Sequence, residues 1–268
     1  MIGLSVAQEM LRYSPPPPIE NPIRVDDLDS WGIRREVGDF LMGNSNALLF
    51  GAIFDFQIRL EQAWQAPFDL ARRLGHFDLA QIARMKPSHL ETYIRGGGSE
   101  RALHRFPGVL AKRLISASRR LLREYEGNAK KIWPDGMQVA EVIDRLDAFD
   151  GIGQKIARMM ARLLVSYFGV RLTHWEKLDI AVDRHVARFF LRTGLVLRDP
   201  GSYGVAEVAD EVTLSARRLS PSFPAALDEP AMDIGRNWCT AEEAYCNWTE
   251  EPCPMGKVCP KKTAVGVE

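Results

Sequence analysis

Leu146-Asp-Ala-Phe149-Asp150-Gly151-Ile152-Gly153-Gln154-Lys155-Ile156-Ala157 is the stretch on which the reading of this chain turns. A helical pattern over roughly 138–147 ends there, a Gly-apolar-Gly turn follows, and a second amphipathic helix begins, with Ile156, Met160, Leu163, Leu164 and Tyr167 on one face. Glycines permit positive φ and the close approach of another backbone. The free N–H groups and the dipole at the start of the second helix make a seat for one phosphate. Gly151-x-Gly153-x-x-Ile156-Ala157 also nearly matches a dinucleotide-binding fingerprint, but that motif follows a strand, and the segment here is helical. The plain alternative is a tight helix–helix corner that binds nothing.

Lys155 falls in the first turn of the second helix, where a helix N-terminus disfavours a cation, and Arg158 and Arg162 follow it. An amine there is a candidate nucleophile; a solvated lysine is the alternative. Downstream comes Val182-Asp183-Arg184-His185-Val186. Asp183 stands where an irregular stretch becomes a helix, so it is a helix cap and also a carboxylate available to face the hairpin. His185 reads as a packed, hydrogen-bonded residue.

Working outward, helical spacing recurs in Leu48, Leu49, Ala52, Ile53, Phe56 and Leu60, in Leu110, Leu114, Ala117, Leu121 and Leu122, and in Val182, Val186, Phe189 and Phe190. No strand alternation is sustained, so the chain reads as mostly α. Pro15 to Pro18 form an extended spacer; Gly96 to Gly98, Pro107-Gly108, Pro134-Asp135-Gly136, Asp199-Pro200-Gly201, Pro221 and Pro224 mark turns. The length of 268 residues corresponds to two domains or two lobes at about 150 residues each. No apolar run approaches the ~18 residues of a membrane span, and no basic leader precedes an apolar stretch at the N-terminus. The expectation is a soluble cytoplasmic protein. Formal charge is zero, with 35 basic and 35 acidic residues. Residues 101–131 nevertheless carry nine basic and two acidic side chains, and 207–251 carry three basic and ten acidic. One region suits a polyanion and the other repels it, unless both are simply solvated helix faces.

All four cysteines lie close together, as Cys239-x6-Cys246-x6-Cys253-x5-Cys259. Disulfides do not suit a chain without an export signal. A metal site remains, either zinc or an iron–sulfur cluster, and the closely paired C-x2–4-C knuckles usual for zinc are missing.

Gly151-Ile-Gly153-Gln-Lys155-Ile-Ala157 followed by Val182-Asp183-Arg-His185 resembles the helix-hairpin-helix–Gly/Pro–Asp superfamily of DNA glycosylases, in its endonuclease III-like branch. The resemblance covers roughly 45–260. It implies a mostly α, two-lobed fold, with a helical bundle over 49–168 that carries the hairpin. The second lobe would hold 1–48 with 169–268, including a C-terminal four-cysteine loop over 239–259. It further implies a base-excision-repair glycosylase with abasic-site lyase activity, acting on double-stranded DNA with a damaged, oxidised base. Lys155 becomes the nucleophile and Asp183 the essential carboxylate, on opposite walls of a cleft. Gly151 and Gly153 grip a backbone phosphate, with Lys112, Arg113 and Arg119 adding attraction. Gln57, at the end of a helix from Leu48, probes the duplex. Cys239, Cys246, Cys253 and Cys259 hold a [4Fe–4S] cluster, with zinc as the alternative metal. A monomer associated with the nucleoid is expected.

The chain departs from the family pattern at four places: Asp150 replaces the usual proline, Val170 to Lys177 lengthens the interval from Lys155 to Asp183, Asn247 to Pro252 widens the middle cysteine spacing, and the loop from Thr240 to Tyr245 is acidic. That acidity would repel phosphate, so the cluster reads as structural. The alternatives are a monofunctional glycosylase and a non-catalytic iron–sulfur DNA-binding protein.

Overall fold

A computed structural model describes residues 2–16, 33–241, 246, 252–261 and 265–267. Among these, twelve α-helices carry the architecture: α1 (Ile2–Tyr13), α2 (Arg35–Gly43), α3 (Ser45–Phe54), α4 (Leu60–Leu74), α5 (Leu79–Arg84), α6 (Pro87–Arg95), α7 (Pro107–Glu124), α8 (Val139–Asp147), α9 (Gln154–Ser166), α10 (Arg184–Arg192), α11 (Val205–Leu219) and α12 (Asp228–Asn237). Two three-residue strands, β1 (Gly201–Tyr203) and β2 (Val265–Val267), pair in parallel. The mostly α expectation holds. The chain forms two compact units, Pro22–Thr173 and Met1–Asn21 with His174–Glu268. The second half of the proline run, Pro17 and Pro18, lies outside the described residues.

The unit over 22–173 is built around α3. Asn44 starts that helix by accepting the N–H groups of Asn46 at 3.1 Å and Ala47 at 3.2 Å. From Ala47 to Phe54 every residue of α3 is buried, so it is apolar on all sides. α2, α4 and α7 pack on it. Gly51 makes the α4 crossing possible, because a Cβ there would stand 2.8 Å from Cε3 of Trp64. Pro107 opens α7 at the one position where its missing N–H does no harm. Leu110, Leu114, Ala117 and Leu121 form the buried stripe of α7, whereas Leu122 is exposed.

Two expectations change. The apolar series from Leu48 to Leu60 is not one helix: α3 stops at Phe54, Phe56 lies in a loop, and Leu60 begins α4. The expected assignment of 1–48 to the second lobe also fails for the described residues from Ile33 onward, since α2 packs on α3 and α4 and belongs with them.

In the other unit α10 is central, packed by α11, α12 and β2, with α1 against α11 and α12. Val186, Phe189 and Phe190 are fully or almost fully buried. Gly235 lets α12 cross α10 closely, because a Cβ there would lie 2.4 Å from the carbonyl oxygen of His185. The long interval between Lys155 and Asp183 is used in both units. Thr173 donates its N–H to Met137 and accepts that of Val139, at 2.8 and 3.0 Å. Trp175 then packs edge-on against Phe223 at 4.7 Å. His174, at φ +58°, is the joint between the two uses.

Candidate active site

α8 and α9 form the hairpin expected from the sequence. Phe149 donates to Leu146 and Ile152 to Phe149, both at 3.0 Å, and the two apolar side chains are buried as plugs beneath the turn. Gly153 is the residue before α9 and supplies no side-chain cap. Its carbonyl accepts from Ala157 at 2.9 Å, while the N–H groups of Gly153, Gln154 and Lys155 have no acceptor among the described residues. The start of α9 is therefore open to an external acceptor. Asp150, standing where the family pattern has proline, accepts a 2.6 Å hydrogen bond from the Ser116 hydroxyl and ties the turn to α7.

The two glycines differ. Gly151 has φ +95°, and a Cβ on it would lie 2.7 Å from Cδ of Arg113. Gly153 is extended, with open space where a Cβ would point. Arg113 thus lies against the hairpin backbone. Its guanidinium sits 4.6 Å over the Phe56 ring, and Nη1 is buried with no hydrogen-bond partner among the described residues. Phe56 in turn stacks on His104, with ring centroids 6.1 Å apart and planes 10° from parallel. His104 is fully buried. Its Nδ1 accepts the Phe106 N–H at 3.0 Å, so Nε2 carries the proton and donates to the Phe56 carbonyl at 2.7 Å. Burial holds the His104 pKa below the ordinary 6.5, consistent with that neutral form.

This packed column fixes the loop after α3. Asp55 closes that helix, its N–H bonded to Gly51 and Ala52 at 3.0 and 3.3 Å. A tight Phe56-to-Phe54 bond at 2.7 Å turns the chain at Asp55, whose φ and ψ of −73° and 63° are those of an inverse γ-turn. The Asp55 carboxylate reaches Lys155, with Oδ2 3.8 Å from Nζ; the side chains are 11% and 36% exposed. Lys155 therefore has a carboxylate beside it, as well as the two arginines that follow it in sequence. Gln57 is exposed at φ +54°, on the loop and past the end of the helix expected to carry it.

Beside the turn lies a hollow of about 360 Å³ lined by Lys112, Ser116, Arg119, Arg120, Arg123 and Asp150. Arg119 is committed to the Ala83 carbonyl at 2.9 Å, and Arg120 to the Ala148 carbonyl and to Glu124. Lys112 is exposed on the same helix.

In the other unit Asp183 caps α10, its Oδ1 accepting from His185 at 2.8 Å and Val186 at 2.9 Å. The His185 pKa is lowered, first by burial, and its Nδ1 lies 3.1 Å from Arg188 Nη2. Two buried arginines then join α10 to the cysteine segment. Arg188 donates to the carbonyls of Gly235, at 2.7 Å, and Cys239. Arg192 donates to the Thr240 carbonyl at 2.6 Å and lies 3.7 Å from the Cys239 sulfur. All four cysteines are free thiols and line one small cavity of about 20 Å³ with Phe189, Ile234 and Trp238. Burial raises the Cys239 and Cys259 thiols and pushes Cys253 up to about 11. Among the described residues no three His, Cys, Asp or Glu side chains form a single-ion site. Four thiols lining one small apolar cavity supply the donor type that a metal group bound through cysteine uses. Most of the acidic loop, 242–245, and most of the widened spacing, 247–251, lie outside the described residues.

The fold has known counterparts. No protein-family model matches the chain, and no curated protein is similar to it in sequence. Among solved structures it is similar to a trapped endonuclease III–DNA covalent intermediate, with TM-score 0.61, 19% identity, and 96% of this chain and 94% of that one covered. A non-covalent endonuclease III–DNA complex gives 0.60 and 19%, with the same coverage. A thermostable thymine-DNA glycosylase gives 0.56 and 13%, covering 97% of this chain and 94% of that one. The fold is that of endonuclease III.

The sequence marked Lys155, Asp183 and the cysteines as candidates, and it did not mark Asp55, His104, Arg188 or Arg192 as their neighbours in the fold. Arg188 and Arg192 did leave a signal, a pair of cations four apart on a helix otherwise flanked by Val186, Phe189 and Phe190.

Proposed function

We propose that this protein is a base-excision-repair DNA glycosylase with abasic-site lyase activity, acting on an oxidised base in double-stranded DNA. The observation that carries the reading is Lys155 in the first turn of an uncapped helix that follows a Gly-x-Gly hairpin, on a fold shared with endonuclease III. The open N–H groups at the start of α9 hold one phosphate of the strand. Lys112 and the basic hollow beside the turn supply attraction without sequence preference. The damaged nucleotide leaves the stack, because a base inside the duplex cannot be reached; Gln57, exposed on its loop, enters the space.

Lys155 Nζ, as the neutral amine, attacks the sugar C1′ while the bond from C1′ to the base breaks. The base leaves with the electron pair and takes up a proton. Loss of a proton from nitrogen and opening of the sugar ring then give a protonated Schiff base. Removal of a C2′ proton expels the 3′ phosphate and cuts the strand. Asp183 stabilises positive charge on the sugar and exchanges protons.

Cys239, Cys246, Cys253 and Cys259 would hold a [4Fe–4S] cluster, with zinc the alternative, and the bound group would tie residues 239–259 together beside the arginines of α10. Equal amounts of iron and acid-labile sulfide would identify the cluster; zinc without sulfide would replace it.

The test uses a duplex with one abasic site and borohydride. A covalent adduct forms with the native chain and is absent from Lys155→Gln, which still binds the duplex. No adduct from native protein that binds the duplex and releases a damaged base would mark a monofunctional glycosylase. Binding with neither reaction would mark a non-catalytic protein.

A further inference from the structure

We infer that Asp55 is a positioning residue for Lys155, holding the amine at the mouth of the hairpin. This inference rests on the lysine chemistry proposed above. Its basis is the placement of the two groups within one compact unit. Oδ2 of Asp55 is buried and lies 3.8 Å from Nζ. A lysine on a first helical turn has a long flexible stem and points nowhere in particular. A carboxylate on a flexible loop would not change that, but Asp55 is not on one.

Its backbone is held from both sides. The N–H is bonded into the end of α3, and the next residue is clamped through its carbonyl by His104 and through its ring by His104 and Arg113. Arg113 completes the frame by lying against Gly151 of the same hairpin that carries Lys155. The carboxylate and the helix start are thus fixed relative to each other by packed side chains, and the ion pair sets where Nζ dwells. An amine held near its attack position saves the entropy of finding it, and a misplaced one loses rate without losing substrate binding.

The experiment measures single-turnover borohydride trapping on an abasic duplex alongside duplex affinity and thermal melting, for native chain, Asp55→Asn, Asp55→Glu and Lys155→Gln. Asp55→Asn keeps the shape and removes the charge. Its trapping rate falls by about 10- to 100-fold with melting and affinity essentially unchanged, and Asp55→Glu recovers part of the loss. Native-rate trapping by Asp55→Asn, while Lys155→Gln traps nothing, overturns the role of Asp55 and leaves the lysine assignment standing. A parallel fall of rate, affinity and melting in both Asp55 variants also overturns it, by showing a purely structural carboxylate. Absence of any adduct from the native chain removes both readings together.

Discussion

The helices α9 and α10 begin in opposite ways. α10 is closed by its own sequence, with Asp183 accepting the N–H groups of His185 and Val186. α9 begins at a glycine with no side chain to offer, and its first N–H groups have no internal acceptor among the described residues. Unsatisfied N–H groups and the positive end of the helix dipole favour an anion from outside. The first arrangement stabilises a fold, and the second leaves N–H groups for which the proposed function supplies a phosphate. The same contrast applies to the lysine and the aspartate: Asp183 is engaged by backbone, whereas Lys155 meets the Asp55 carboxylate across a gap of 3.8 Å.

The largest effect is expected at Asp183, where capping and chemistry can be separated. Asp183→Asn keeps an oxygen that accepts the two N–H groups, so melting stays near native while base release falls by about 100- to 1,000-fold. Asp183→Ala loses the same activity and also destabilises by about 1–2 kcal/mol, read by denaturant unfolding. An Asn variant with native activity would reduce Asp183 to a cap.

At the other helix start, the hairpin glycines should respond unequally. Gly151→Ala forces a side chain onto φ +95° and into Arg113, destabilising by roughly 1–3 kcal/mol. Gly153→Ala, extended and with open space, should unfold within about 0.5 kcal/mol of native. Equal losses would show that the turn is not held as described.

The frame behind Lys155 makes stability depend on pH. His104 is buried neutral with its pKa below 6.5, whereas in the unfolded chain it binds a proton near that value. Its contribution is therefore complete above about pH 6.5 and is lost as pH falls from there towards the lowered folded value. The melting temperature should fall on acidification through this window, and His104→Gln should flatten that part of the curve. His185, whose pKa is lowered chiefly by burial as well, adds a slope of the same sign that the variant retains.

The smallest effect concerns the α7 cations. Lys112→Ala should lower the salt dependence of duplex binding by about one counterion without changing stability. Arg113→Ala should do the reverse, since that side chain is packed on Phe56 and Gly151. Salt titrations and melting of the two variants separate them.

The hairpin, the Asp183 cap and the clustered cysteines were legible because each is local: a turn, a cap and a short spacing lie within a few residues of one another. What escaped the sequence is tertiary. Asp55, His104 and Arg113 come from three separate segments and meet only when α3, α7 and the hairpin pack. The end of α3 was also unreadable, because a helix buried on all sides has no polar face to mark where its periodicity stops. Gly151 and Gly153 look alike in sequence, and only φ and the presence of Arg113 distinguish them.

The most direct test of the central claim is to locate the covalent bond. The borohydride-reduced adduct with an abasic duplex would be digested and its peptides read by mass spectrometry. The sugar remnant is predicted on Lys155, in the peptide that begins α9. A remnant on any other lysine or on the N-terminal amine would contradict the account, whatever the fold shares with endonuclease III.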